Sequence, residues 1–271
     1  MTRVLALSSW VAAGHVGLSA AIPALQALRA EVVGLPTVML SNHKAFAHCA
    51  GGPVPPAEIE AMLEAVAANG WLAGLDAVLT GYMPSAAHVE AAARAVAAVR
   101  AASPAAQVVV DPVLGDDPKG LYIPAEAAAA VAALLVPEAD ALTPNRFELA
   151  QITGRPAEDL AGAAEAARAL AAARPGRRVI VTSPPISPED TGALVATPDG
   201  SATLHVTRRR EGAPNGAGDV VSALIAGGLG AGLAIGAVAA LIEASLGAPH
   251  LAFATAQGWA EAAPVPGRPV A

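Results

Sequence analysis

Short runs of aliphatic and β-branched residues alternate with alanine-rich stretches from the first residues of this chain to about position 182. The runs are Val4–Ser8, Val32–Pro36, Ala77–Thr80, Val108–Asp111, Ala139–Leu142 and Val179–Thr182. Between them, apolar residues recur at helical spacing over Leu18–Arg29, Ala57–Asn69, Ser85–Ala102, Ala125–Leu135, Glu148–Thr153 and Gly162–Ala173. A strand period that switches repeatedly to a helix period predicts an α/β fold, with a central, mostly parallel sheet and helices on both faces. After Val179 the rhythm changes. Ala193–Ala196 and Ala202–Val206 flank "TPDGSA", a hairpin signal, and helices are expected from there to the end. No linker or repeat interrupts the pattern, so residues 1–271 read as one domain.

Composition excludes several classes. With 54% hydrophobic and 14% charged residues the chain is not disordered. A formal charge of −7 gives no footing for nucleic acid or an anionic membrane. One cysteine, Cys49, excludes an internal disulfide and a cysteine-based metal cluster, and suits a reducing, cytoplasmic setting. The N-terminal apolar run reads as a buried first strand rather than a signal peptide. Val220 to Ile242 carries no charge over a membrane-spanning length, but five glycines and the lack of flanking anchors favour a buried pair of helices.

In a sheet of this kind ligands bind beyond the carboxyl ends of the strands. Polar residues collect there: Ser8 and Ser9 after the first run, "TGY" (Thr80 to Tyr82) after the third, "DPVLGDDPKGLY" after the fourth, "TPNRFE" after the fifth, "TSPP" after the sixth. That clustering points to an enzyme.

The stretch "PNGAGD" (214–219) precedes an apolar helix. Small residues at a helix N-terminus leave backbone N–H groups free, and the helix dipole adds partial positive charge. Such a cradle suits a phosphoryl group, with the amides of Gly216, Ala217 and Gly218 stabilising oxyanion charge and Asp219 as the base for an attacking hydroxyl. The same residues also read as a glycine-rich turn with Asp219 as a helix cap. The segment alone does not decide between the two. It is not a Walker loop, and no G-x-G-x-x-G follows the first strand.

Asp111 and Asp116 of "DPVLGD", with Asn145 and Glu148 of "TPNRFE", supply hard oxygen ligands that suit Mg²⁺ and a nucleotide. Alternatively, Asp111 is a turn residue before Pro112 and Glu148 a first-turn helix acid. His43, His48 and Cys49 lack metal-site spacing and read as loop residues. Arg208–Arg210 read as a solvated loop or as a phosphate contact.

"GAGD", together with "SSWVAAGHVGLSAA", "LPTVMLSNH", "TGYMPS", "DPVLGDDPKGLY" and "TPNRFELAQITG", resembles the ribokinase-like small-molecule kinases, and among them the pyridoxal kinase family, from about Val4 to the helix after Asp219. The resemblance implies a three-layer α/β/α fold and ATP-dependent phosphorylation of a B6 vitamer at its 5′-hydroxymethyl group. A kinase for hydroxymethylpyrimidine or a sugar, or a non-catalytic B6 carrier, is the competing reading. It implies further that Ser9 and Thr37 bond the pyridine substituents, with Val38, His43 and Tyr82 beside them. Asp111, Thr143, Asn145 and Glu148 would lie on the ATP–metal side, with Asp116 helping to hold Mg²⁺. Thr182 and Ser183 would meet the phosphates, and Val206, Thr207, Arg208 and Arg209 would border the adenine. Gly216, Ala217 and Gly218 would be the anion hole and Asp219 the base. The family also implies a homodimer and leaves a requirement for K⁺ open. Trp10, Leu18 and Ala217 depart from residues common in the family.

Overall fold

A computed structural model describes residues 1–271. In chain order the first half forms β1 (Arg3–Val11), α1 (Leu18–Ala27), β2 (Glu31–Leu40), β3 (Gly51–Pro53), α2 (Pro56–Ala68), β4 (Ala77–Thr80), α3 (Ala86–Ala102) and β5 (Gln107–Val110). A two-stranded flap, β6 (Gly115–Asp116) and β7 (Gly120–Leu121), leads to α4 (Ala125–Ala130). Then come β8 (Ala141–Leu142), α5 (Arg146–Thr153), α6 (Leu160–Ala172), β9 (Arg178–Thr182), β10 (Asp190–Ala196), β11 (Ala202–Arg208), α7 (Ala217–Ala226), α8 (Ala231–Ser245) and β12 (Gly267–Pro269).

Ten strands share one sheet in the order β12-β11-β10-β9-β8-β5-β4-β1-β2-β3. From β9 to β2 every neighbouring pair is parallel; the hairpin strands and both edges are antiparallel. The alternation in sequence becomes alternation between faces, because successive strand side chains point to opposite sides. Val4, Ala6, Leu79, Val109 and Ile180 pack under α1, α7 and α8. Leu5, Leu7, Val78, Val110 and Val181 pack on the opposite side, under α2 to α6. The alanines of α6 (Ala163, Ala164, Ala166, Ala167) are wholly buried, so this helix sits close on the sheet with little side-chain volume between them.

Three expectations need correcting. The chain after α8 is not helical. It runs irregularly to a single turn at Trp259–Glu261 and adds β12 to the sheet edge beside β11. The long helix read over Ala125–Leu135 is α4 followed by a π-helical turn, Val131–Leu135, and a tight turn over Val136–Glu138 that contains Pro137. The carbonyls freed there are not orphaned, because the buried guanidinium of Arg177 donates to Val136, Pro137, Ala139 and Leu170. The glycine- and proline-rich strands β3, β6, β7 and β12 escaped the sequence reading, since they pair through backbone alone. Val220 to Ile242 divides at Gly227–Gly230 into α7 and α8, and no helix is long and apolar enough to cross a membrane.

Candidate active site

From β1 the chain continues to β2 on one side, then returns to β4 on the other. The strand order thus reverses between β1 and β4, where an open α/β sheet forms a crevice at its carboxyl end. Ser8 of β1, Gly81 after β4, Asp111 after β5, Gly17 before α1, and Asp219 and Ser222 of α7 line a narrow crevice of about 10 Å³ there. Two carboxyl groups therefore face one crevice at the switch point.

The cradle forms as the small residues require. Gly216 caps α7 with φ of 103°, a left-handed conformation that a side chain would strain. The first bond within α7 is Val220 N–H to the Gly216 carbonyl at 3.1 Å, so the amides of Ala217, Gly218 and Asp219 stand ahead of the helical ladder. The Asp219 carboxyl lies near the amide of Gly17, where α1 begins, and that amide and its own both favour its ionised form. Two helix starts thus converge on it. Burial still outweighs those amides, and the acid is pushed up to about 6. An acid in that range is ionised at neutral pH and basic enough to accept a hydroxyl proton in a transition state.

Asp111 and Glu148 are both buried, with 8% and 4% of their surface exposed. Burial, then the charges of Glu148 and Asp219, hold Asp111 well above the usual carboxylate range. Glu148 is raised by burial to about 7, although the amides of Asn145, Leu114 and Gly115 oppose the shift. Its two oxygens accept from Leu114 N–H at 2.8 Å and Asn145 N–H at 2.9 Å, and Asn145 Oδ1 takes the Glu148 amide in return. Glu148 therefore closes a capping box on α5 while facing Asp111. Asn145 also donates to the Gly115 carbonyl, tying the flap to α5. The chain before the flap turns through Val113, a β-branched residue at φ 45°.

Mg²⁺ fits this corner in one form only. Asp111, Asp116 and Glu148 do not close into a three-carboxylate cluster, since Asp116 is exposed on the flap and its Oδ1 accepts the Asp117 amide. Asp111 and Glu148, two buried acids held above their usual range, sit in a place where a cation would favour their ionised forms. The buried hydroxyl of Thr143 has no partner within the chain, which leaves an oxygen donor for the same corner. One or two carboxylates with water and phosphate oxygens is the usual Mg²⁺ arrangement.

The residues assigned to the pyridine side divide. Thr37 is 1% exposed and its hydroxyl donates to the Tyr82 carbonyl at 2.7 Å, so its proton ties β2 to the turn after β4. Only its oxygen lone pairs remain for a ligand. Val38 is buried, and Ser9 lies against Gly17. Ser8, adjacent to the residue chosen from sequence, places its hydroxyl in the crevice and accepts the Tyr82 amide at 3.1 Å. Tyr82 is half-buried, and burial raises its phenol. His43 is half-buried in the loop after β2; burial, then the charge of Lys119 on the flap, pushes its imidazole down. Of the departures from the family pattern, Leu18 is buried and lines the switch-point crevice, while Trp10 is half-buried against the core under α1 and α7.

Beside the cradle a cleft of about 240 Å³ opens between β9, the β10–β11 hairpin, α7 and α8. Thr182, Ser183, Thr207, Arg208 and Arg209 line it, and Ala217 and Gly218 join it to the cradle. Val206 does not line it. It shares a strand face with Leu204 and packs into the core under α2 to α6, whereas Thr207 points to the α8 side. Ser183 holds φ of 50° and its amide reaches the Gly192 carbonyl at 3.0 Å, which bends the chain around the cleft. The arginine run is less free than a solvated loop: Arg208 pairs with Asp190 and Arg210 with Glu243.

Sequence reasoning missed Gly17 and Ser222. Ser222 is buried and sets its hydroxyl between the Asp219 carbonyl, to which it donates at 3.1 Å, and the Asp111 carboxyl. The signal available was its place one helical turn after Asp219 on an otherwise apolar helix, where a serine has no packing reason to be.

A family model described as phosphomethylpyrimidine kinase matches residues 12–244. Pyridoxal kinase PdxY of Deinococcus radiodurans is 40% identical over 235 residues, 83% of this chain and 78% of the relative. The pyridoxine/pyridoxal/pyridoxamine kinase of Bordetella avium is 38% identical over 234 residues, 86% and 79% of the two chains. Among solved structures, pyridoxal kinase from Leishmania donovani in complex with ADP and pyridoxamine superposes with a TM-score of 0.90 at 29% identity, over 100% of both chains. The fold, the matched residues and the extent of identity together place this chain in the pyridoxal kinase family of ribokinase-like kinases.

Proposed function

We propose that this chain, as a single kinase domain over residues 1–271, transfers the γ-phosphoryl group of ATP to the 5′-hydroxymethyl oxygen of pyridoxal, and of pyridoxine and pyridoxamine. The observation that carries the mechanism is Asp219: a carboxylate raised to about 6, in the first turn of α7, beside amides that also border the neighbouring cleft. With the vitamer at the switch point and the nucleotide in the cleft, the two meet at the cradle. Asp219 accepts the hydroxyl proton as the oxygen bonds to phosphorus. The bond to the β-phosphate oxygen breaks and ADP leaves. The amides of Gly216, Ala217 and Gly218 face the charge that develops on the phosphoryl oxygens, a role that typically contributes about 10²–10³-fold per donor. Asp111 and Glu148, with the Thr143 hydroxyl, would hold Mg²⁺, which neutralises phosphate charge when bound. Ser8, Thr37 and Tyr82 would set the ring, and His43 would close over it from the β2 loop. A requirement for K⁺ is part of the family expectation. Cytoplasmic residence suits a chain whose one cysteine, Cys49, is exposed and unpaired.

A phosphorylation assay across pyridoxal, pyridoxine, pyridoxamine, hydroxymethylpyrimidine and ribose tests the reading. The expected result is transfer to the B6 vitamers at rates well above the other alcohols. Turnover confined to hydroxymethylpyrimidine or ribose would contradict it, and binding of pyridoxal without turnover would support the carrier instead. The carrier is disfavoured because binding alone gives no reason to keep a raised carboxyl at the mouth of an amide cradle.

A further inference from the structure

The cleft beside the cradle has an uneven lining. At its α8 wall, Ile235, Val238, Ala239 and Ile242 fall at i, i+3, i+4 and i+7, one apolar stripe on one helix face. Every polar side chain in the lining is a hydroxyl or a guanidinium; no Asn, Gln, Asp, Glu, Lys or His is among them. The guanidinia are already engaged. Arg208 pairs with Asp190, Arg209 donates to the Asp190 carbonyl at 3.3 Å, and Arg210 pairs with Glu243.

This combination suits the face of a base but not its edge. Telling adenine from guanine by side chain means accepting from the 6-amino group or donating to the 6-oxo group in a fixed geometry, the work done elsewhere by side-chain amides, carboxylates and free guanidinia. A hydroxyl rotates and serves as donor or acceptor, so it meets either edge. A free guanidinium, which only donates, would favour O6 and N7 of guanine, but the three here are held by Asp190 and Glu243. An apolar stripe contacts the ring face, which the two purines share.

Resting on the placement of the nucleotide in this cleft, we infer that the phosphoryl donor is a purine nucleoside triphosphate held by its phosphates and by the faces of its base, with ATP and GTP used alike. The chemistry is unchanged. The γ-phosphorus–oxygen bond breaks, the alcohol oxygen bonds to phosphorus, the proton passes to Asp219, and ADP or GDP leaves. Apolar pockets discriminate weakly between ligands of similar shape, by about 10–200-fold at most, whereas a site built to bond one polar group rejects its absence by about 10⁴–10⁵-fold. Two purines of equal stacking area belong at or below the low end of the first range.

Steady-state kcat/KM with saturating pyridoxal, measured for ATP and GTP, reads the inference directly. The expected ratio is within about tenfold. Calorimetric titration of ADP and GDP gives the same ratio without turnover, so the base preference is read even if no vitamer is phosphorylated. Val238→Ala should raise KM for both nucleotides by one common factor. A preference for adenine beyond tenfold in either measurement, unequal effects of Val238→Ala on the two donors, or no binding of either diphosphate overturns the inference. Equal binding of ADP and GDP with no phosphorylation of any vitamer would uphold it and count against the kinase reading instead.

Discussion

The carbonyl oxygen of His15 fills the space that a Cβ on Gly216 would need. The loop between β1 and α1 thereby closes the back of the α7 cradle, and the same loop brings the Gly17 amide near the Asp219 carboxyl. Cradle and base are held by one contact surface between two segments some two hundred residues apart.

Gly216→Ala meets both that carbonyl and a backbone angle of 103° that alanine resists. The cradle amides must move, and the expected loss in kcat is about 10²-fold or more, on the scale of an oxyanion donor. Gly218→Ala is the control for folding: its Cβ would meet nothing within 4 Å, so its Tm should match the parent while that of Gly216→Ala falls. Equal Tm for the two variants, or a kcat for Gly216→Ala within a few-fold of the parent, would contradict this.

Glu148 makes stability depend on pH in a defined direction. Its folded acid is raised to about 7 from an ordinary value of 4.5, so the folded protein binds the proton more tightly than the unfolded chain does. Stability from this group is fully present below pH 4.5 and is lost as pH rises through about 7. Asp219, raised to about 6 from 3.8, acts in the same sense over a lower window. Thermal melts of the ligand-free protein should therefore drop in Tm between pH 5 and 7, and Glu148→Gln should flatten that slope. In kinetics the same variant should raise KM for ATP and blunt the dependence on Mg²⁺, with pyridoxal binding kept. An unchanged slope would show that Glu148 is ionised in the folded protein from low pH.

Arg177 bears on stability alone. Its guanidinium satisfies the carbonyls at the end of the α4 region and is 2% exposed. Arg177→Met strands those carbonyls, at about 1–3 kcal/mol for each one left buried without a partner. Urea unfolding should show a loss of at least about 2 kcal/mol with kcat per folded molecule unchanged. A loss under about 0.5 kcal/mol, the scale of ordinary surface substitutions, would contradict this.

Assembly is a further expectation. Met39 near the β3 edge and Phe46 in the adjoining loop are 48% and 42% exposed, and a homodimer would cover apolar surface of this kind. Light scattering at micromolar protein should return twice the chain mass of 26.6 kDa; a monomer mass would contradict it.

The parallel sheet and most helices could be read from the chain because each parallel strand carries its own aliphatic run and each helix its own apolar period. The strands that escaped, Gly51–Pro53 and Gly267–Pro269 among them, have no side-chain signature, and only the neighbouring strand makes them strands. At the site the helix starts were legible: the glycine-rich turn before α7 with Asp219 in its first turn, and Glu148 as a first-turn acid of α5. What sequence could not show was depth. The Thr37 hydroxyl proton goes to the Tyr82 carbonyl, which leaves only its lone pairs, and Ser8 faces the crevice beside the Ser9 read from sequence. Val206 was misplaced although strand parity with Leu204 already set its face. Gly17 and Ser222 reach the acids only through the fold.

The proposed mechanism turns on Asp219 taking the proton from the alcohol. Asp219→Asn keeps the shape and the helix start but cannot accept that proton, whereas at a cap Asn and Asp rank alike. The measurement is kcat for pyridoxal at saturating ATP, with KM and nucleotide binding followed in parallel. The account predicts a fall in kcat of about 10²–10⁴-fold, the usual contribution of a general base, with KM and binding little changed. A kcat within a few-fold of the parent would contradict it and leave 214–219 as a structural turn.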